Sequence, residues 1–271
     1  MKVLLIVLIS LVLSGCGIAS GPVISTPTIP STPTTVLTSA PSLTPKPDLA
    51  ATKIAILAIT QTAQINRHNA ISTENAKFAL TTISKIEMAL EEVKATSNEV
   101  EELDISKAKL VYGPKDYILR HDLENTVITF DPGLSLKNFI VSINFVNPYD
   151  TSAIGTWDYG ILFRNKYKND QYRLTILSNQ SWSLVNAPTW RNIFSKNDKH
   201  LTATAGEENT IWLIVLNTKA YLFINGKYTH SLDVRARLNE GDVSPATGLY
   251  YGNKTNKKMT EFHDFMVWSL P

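Results

Sequence analysis

The chain has a single cysteine, Cys16, so it can form no intramolecular disulfide and no thiolate metal cluster. It has no Lys/Arg-rich run, and its 26 basic and 24 acidic side chains leave a net charge of +2. That balance gives no polyelectrolyte field and argues against nucleic acid as a partner. Aromatic residues are nearly missing from the first part: of 5 Trp, 10 Tyr and 9 Phe, only Phe78 precedes Tyr112. A chain of 271 residues that is 44% hydrophobic can bury one good core or two small ones, and the aromatic distribution assigns the core to the C-terminal part. The apolar run 3–13 is eleven residues long, too short for a hydrocarbon layer that needs ~20 helical residues.

Met1-Lys2 followed by that run reads as the start of a signal peptide. It ends in Leu13-Ser14-Gly15-Cys16, which resembles the bacterial lipobox. The resemblance implies cleavage before Cys16 and diacylglycerol on its sulfur, with the one cysteine where that chemistry needs a thiol. Two or more acyl chains, at ~0.8 kcal/mol per buried CH2, hold a protein stably on a membrane. Gly17 rather than Asp follows the cysteine, and by resemblance to Gram-negative lipoproteins this is not an inner-membrane retention signal. The expected partner is therefore the membrane, through the lipid anchor, and the expected location is the extracytoplasmic face of the cell envelope.

Residues 20–50 contain seven prolines and twelve Ser/Thr, with no charge before Lys46. Such a segment cannot bury a core. It is expected to be a disordered, polyproline-like stalk reaching at most ~3.1 Å per residue, roughly 90 Å in all. Pro47-Asp48 then offers a helix start, and residues 49–103 contain no Pro or Gly. A 3-4 spacing runs through Ala76, Ala79, Ile83, Ile86, Leu90, Val93, Ser97 and Val100. This seam has two readings: a short coiled coil that makes a homo-oligomer through helix 50–104, or one amphipathic helix that folds back on the C-terminal domain or stands free as a rigid spacer. Glu99, Glu101 and Glu102 oppose the helix dipole and should fray its end. The domains are thus 1–15 signal peptide, 16–49 lipid-anchored linker, 50–104 helix and 105–271 β domain.

From Tyr112 the apolar pattern changes to period two, broken every eight to twelve residues by Asn, Asp, Gly and Lys, as in an all-β sandwich. Strands are expected at 117–121, 125–130, 138–146, 158–164, 171–178, 181–186, 190–194, 199–204, 210–216, 220–225, 227–233, 246–251 and 260–269. Asn225-Gly226 signals a type I′ hairpin, with Phe223 opposite Tyr228 and Tyr221 opposite His230. If Arg164 and Gln171 also pair, Phe163 meets Tyr172, Ile161 meets Leu174 and Tyr159 meets Ile176 on a core face. The opposite face then carries Asp158, Gly160, Leu162 and Arg164 against Leu177, Thr175, Arg173 and Gln171. That face is polar, and flat at Gly160.

Three stretches carry a family resemblance: 138–150 with 157–164 and Tyr172-Arg173-Leu174; the hairpin 209–227 with its Asn225-Gly226 tip; and the closing 262–268. They resemble concanavalin A-like lectin/glucanase domains, including laminin G-like and 3-keto-disaccharide hydrolase-like members. The resemblance implies a two-sheet β-sandwich of jelly-roll type and admits lectins, glycanases and adhesion modules. Retaining glycanases of this fold carry Glu-x-Asp-x-Glu on one strand, because alternate residues place two carboxylates on one face. No such triplet occurs here, and Glu261 and Asp264, three apart, are expected on opposite faces. The reading on catalysis therefore leans towards no enzyme, with no catalytic residue assigned.

The five histidines have no i, i+2 or i, i+4 partner, and no metal site is assigned. By resemblance, Ca2+ is a candidate ion with Asp150, Asp158 and Asp242 as its oxygen donors, although no EF-hand spacing supports them. A sugar binder needs aromatics beside planar polar groups. The candidate ligand-binding set is Asp158, Arg164, Gln171, Arg173, Trp182 and Trp190, with a glycan as ligand; Trp157, Trp212 and Trp268 read as core. Two alternatives stand beside a carbohydrate-binding module: a glycoside hydrolase of the same superfamily, and a structural or sensory module for a protein partner.

Overall fold

A computed structural model describes residues 49–97, 100, 103–123, 126–167, 170–187, 189 and 191–271. The signal peptide, Cys16, nearly all of the linker and Trp190 lie outside the described residues. Contacts divide the chain into units 1–53 and 54–271; of the first, the start of helix α1 is described.

Helix α1 spans Leu49–Lys94. Thirteen strands follow: β1 Lys109–His121, β2 Ile128–Thr129, β3 Ser135–Leu136, β4 Phe139–Val146, β5 Asp158–Tyr167, β6 Asp170–Leu177, β7 Ser181–Asn186, β8 Arg191–Asn197, β9 Glu208–Leu216, β10 Lys219–Ile224, β11 Lys227–Asp233, β12 Gly241–Thr247 and β13 Lys258–Ser269. A one-turn helix α2, Thr151–Ile154, interrupts them. They form two antiparallel sheets, β1-β13-β4-β9-β10-β11 and β2-β12-β5-β6-β7-β8, with β3 on β12. The expected sandwich with a long helix before it is the fold observed.

Alternation along the strands explains the layers. Phe139, Val141, Ile143 and Phe145 of β4 and Ile211, Leu213 and Val215 of β9 face inward. Tyr159, Ile161 and Phe163 of β5 and Tyr172, Leu174 and Ile176 of β6 meet them from the second sheet. Phe145 stacks on Tyr159, with ring centroids 4.5 Å apart, and Trp157 stacks on the same tyrosine at 5.1 Å. Offset ring pairs of this kind contribute beyond the area they bury.

The other face of the first sheet is apolar too, and that fixes where the helix goes. Ile140, Trp212, Ile214, Tyr221, Phe223, Met266 and Trp268 point outward and pack against Ala79, Ile86, Leu90 and Val93 of α1. Strands that are apolar on both faces must be buried on both. The second half of the seam is thus covered by the chain's own sandwich rather than by a second helix, although Ala76 stays exposed. Trp212 and Trp268 are buried as expected, but under the helix and not between the sheets.

The helix stops ten residues short of 104. Thr96 and Ser97 both donate their amides to the Val93 carbonyl, and the Thr96 hydroxyl reaches the Glu92 and Val93 carbonyls. Side-chain hydroxyls that compete for the last carbonyls end a helix in this way. The turn lets Val100, Leu103 and Ile105 join the same apolar layer.

Three strand expectations need correcting. Residues 199–204 form no strand, because Asn147 and Asn209 side chains take the Thr202 and Thr204 carbonyls that a ladder would use. The run expected at 246–251 is β12 at Gly241–Thr247, since Gly248 at φ 78 turns the chain away. Pro245 lies within β12, and its carbonyl accepts from the Phe130 amide at 3.0 Å. The segment 125–130 shrinks to β2, and β3 was not anticipated.

Both hairpins form. Asn225 and Gly226 have φ of 50 and 75, as a type I′ turn requires, and Phe223 pairs with Tyr228. A bulge then shifts the register, so Tyr221 faces Ser231 and Leu222 faces His230. In the other hairpin, the pairs Phe163–Tyr172, Ile161–Leu174 and Tyr159–Ile176 are as expected. Regular pairing stops at Arg164, whose φ is 49.

Candidate functional site

With one sheet capped by α1, the outer face of the second sheet is the open one. Register sets its floor in two rows across the strands. Ser244, Leu162, Arg173 and Val185 form one; Ala246, Gly160, Thr175 and Ser183 form the other. A Cβ on Gly160 would collide with the Leu174 carbonyl, so glycine is required where β5 passes β6.

Two loops raise walls above this floor and enclose a groove of about 890 Å3. One wall is the segment 248–253, which contributes Leu249, Tyr250, Tyr251 and Asn253; the other is Thr126, Val127 and Thr129. Leu162, Ala246 and Leu249, with Val127 against them, make a small apolar base beneath both walls. Buried His121 ties the walls together: its Nε2 lies 2.7 Å from the Thr126 carbonyl, and a side chain on Gly248 would strike its ring.

Asp158 anchors the tyrosine wall. Its carboxylate accepts the amides of Leu249 at 2.8 Å and Tyr250 at 3.1 Å, and its carbonyl accepts the Thr247 hydroxyl at 2.9 Å. Burial pushes this carboxyl up to about 6, although the backbone N–H bonds and His121 pull the other way. Asp158 therefore positions Tyr250 and Tyr251 without reaching the groove.

The six sequence-predicted residues separate cleanly. Gln171 and Arg173 line the groove. With its amide oriented to suit its neighbours, the Gln171 oxygen accepts from Arg173 Nε and Nη2 at 2.9 and 3.0 Å, and its nitrogen donates to Asn165 Oδ1 at 2.9 Å. Asp158 shares this outer face but stands beneath the tyrosine wall, outside the groove lining, whereas Arg164 and Trp182 sit elsewhere, which corrects the expectation that they join it. Arg164 is 2% exposed because its positive φ turns the side chain under the loops at the end of the sandwich. There its guanidinium donates to the carbonyls of Lys137, Asn217, Val234 and Arg237. Trp182 is fully buried between the sheets, 5.2 Å from Phe194 in a stacked arrangement. Trp190 lies outside the described residues.

Reading the sequence alone missed Tyr250, Tyr251 and Asn253. Tyr251 is 88% exposed and Tyr250 is half-exposed. The signal was present, since two adjacent tyrosines lie between Gly248 and Gly252, but placing them in a strand hid it.

The three calcium candidates do not converge. Asp150 caps α2 through the Ser152 amide, Asp158 holds the 248–253 wall, and Asp242 accepts from Asn165 at 3.4 Å. Among the described residues no three His, Cys, Asp or Glu side chains come together as a metal site. Glu261 and Asp264 also depart from expectation, because Asp264 sits in a bulge at φ 54. The bulge turns its carboxylate to Asn144 at 3.1 Å, beside His263, whose Nε2 is 3.5 Å from Glu261. This cluster lies on the first sheet, away from the groove.

No protein-family model matches the sequence, and no curated protein matches it either. Among solved structures, the chain is similar to a carbohydrate binding module from Bacillus subtilis, at 10% identity and a TM-score of 0.44, over 60% of this chain and 95% of that one. It is also similar to a Bacillus subtilis protein of unknown function with a galectin-like fold, at 11% identity and a TM-score of 0.43, over 59% and 85%. A third likeness is to the beta-fructofuranosidase of Aspergillus kawachii, at 15% identity and a TM-score of 0.38, over 59% of this chain and 28% of that enzyme. At this distance the likenesses say nothing of ligand or activity.

Proposed function

We propose that the chain is a lipid-anchored lipoprotein of the cell envelope whose sandwich is a non-catalytic carbohydrate-binding module, with the groove on the second sheet as its site. One observation carries the binding reading. The open face of the sandwich offers hydroxyls, amides and one guanidinium on its floor, beneath two solvent-facing tyrosines. Sugar rings present apolar C–H faces edged by hydroxyls, and this combination suits them. The residues lining the groove include no carboxylate among those described, whereas a retaining hydrolase needs two at ~5 to 5.5 Å.

A polysaccharide array probed with the detergent-solubilised chain tests the reading. Retention on at least one glycan is expected, and Tyr251→Ala should weaken it at least tenfold with the melting temperature unchanged, because Tyr251 buries almost nothing in the fold. Release of reducing ends from the retained glycan would favour the hydrolase instead, and no retention at all would reject the glycan reading.

The anchor rests on Leu13-Ser14-Gly15-Cys16 and the Pro/Ser/Thr-rich segment behind it. Two or more acyl chains make membrane attachment stable. Cys16→Ser is expected to move the protein from the detergent-rich phase of Triton X-114 to the aqueous phase. Unchanged partitioning would show that Cys16 is not the attachment point.

A further inference from the structure

We propose that the groove takes an acetamido sugar, with the acetyl methyl against the apolar end of the floor and the amide hydrogen-bonded by Thr175. This rests on the glycan reading of the groove and names the class of sugar. Ala246, Gly160, Thr175 and Ser183 pair in one row across β12, β5, β6 and β7. The row is divided in chemistry. At β12 and β5 it is apolar: Leu162, Leu249 and Val127 line the groove there, and a Leu249 methyl carbon lies 3.1 Å from where a Gly160 Cβ would stand. At β6 and β7 it carries two hydroxyls.

Those hydroxyls are unclaimed. Thr175 is 4% exposed and Ser183 is half-buried; both line the groove, and neither side chain hydrogen-bonds to another described residue. A hydroxyl buried this deeply is normally paired, and the groove is the side from which a partner reaches it. Neighbouring strands stand ~4.8 Å apart, so the apolar end and the Thr175 hydroxyl are separated by one such step. An acetamido group spans it, because its methyl carbon and amide oxygen are about 2.4 Å apart and a hydrogen bond adds ~2.8 Å. A sugar with a plain hydroxyl in that place would press it against aliphatic side chains, where it loses water and gains no partner. Leu249 runs directly into Tyr250 and Tyr251, so the wall that receives the methyl also brings two tyrosines to the sugar ring.

Calorimetry on the detergent-solubilised full chain, with chito-oligosaccharides against cello-oligosaccharides of equal length and N-acetylgalactosamine against galactose, tests this. In at least one pair the acetamido sugar is expected to bind at least tenfold more tightly than its hydroxyl counterpart, since it adds one buried methyl and one hydrogen bond. Thr175→Val keeps the shape and removes the hydroxyl, and should cut that preference several-fold. Val127→Thr places a hydroxyl in the apolar end and should cut it too, while Tyr251→Ala should weaken both members of the pair alike. If Thr175→Val fails to fold, saturation-transfer NMR on the wild type decides: the acetyl methyl protons should receive the largest saturation. Equal or tighter binding of the hydroxyl sugar, a preference that survives Thr175→Val in a folded chain, or weak saturation of the acetyl methyl overturns the acetamido assignment and leaves the groove a glycan site. So does retention of other glycans when neither acetamido sugar binds. Failure of every sugar to bind a folded chain overturns both readings.

Discussion

Arg164→Ala should lower the unfolding free energy by about 3 kcal/mol or more, because it removes several buried hydrogen bonds from a cation to main-chain carbonyls, each worth about 1.5–3 kcal/mol. The guanidinium is 2% exposed and joins three chain segments at the end of the sandwich, through the carbonyls of Lys137, of Asn217, and of Val234 and Arg237 in one turn. Truncation leaves those carbonyls short of donors at the end of the sandwich, where each such loss costs about 1–3 kcal/mol before relaxation. Arg164→Lys should recover little, because one ammonium cannot reach acceptors arranged around a planar fork. Urea denaturation measures the effect. An unchanged midpoint with loss of glycan retention would mean that Arg164 faces ligand and that its placement here is wrong.

Asp158 carries the second large effect, a dependence of stability on pH. Its carboxyl is raised from 3.8 to about 6 by burial, so the folded state holds the proton more tightly than the unfolded chain does. Its contribution is therefore fully present below pH 3.8 and is lost as pH rises through 6. The difference is about 2 pH units, or about 3 kcal/mol. Comparing wild type with Asp158→Asn between pH 4 and pH 7 isolates this group from the other acids and histidines. Wild type should lose stability relative to the variant by about that amount as the pH is raised, and parallel curves would show that Asp158 does not titrate in this window. Loss of the charge also weakens the hold on Leu249 and Tyr250, so the tyrosine wall should exchange its amides faster in the variant.

Much of this was legible from side-chain alternation. Pairing across β5 and β6 follows from the period-two pattern, which places Gln171, Arg173, Thr175 and Leu162 on one face. Alternation fails where the backbone leaves extended geometry. Arg164 and Asp264 both adopt positive φ, and each side chain then points where simple counting does not send it. Trp182 illustrates a second limit, because strand membership alone does not say which face of a two-sheet fold is core. The destination of the helix seam was open for a related reason: an apolar stripe shows that something covers it, and only the doubly apolar strands β4 and β9 reveal what.

The allocation of faces, one closed by α1 and one left as an open groove, is tested most directly by hydroxyl-radical footprinting of the detergent-solubilised chain with and without a retained glycan. Tyr251 should oxidise readily in the free protein and become protected when the glycan binds, while Met266, Trp212 and Trp268 stay protected throughout. Ready oxidation of Trp212 and Trp268, or glycan protection confined to that face, would contradict the account.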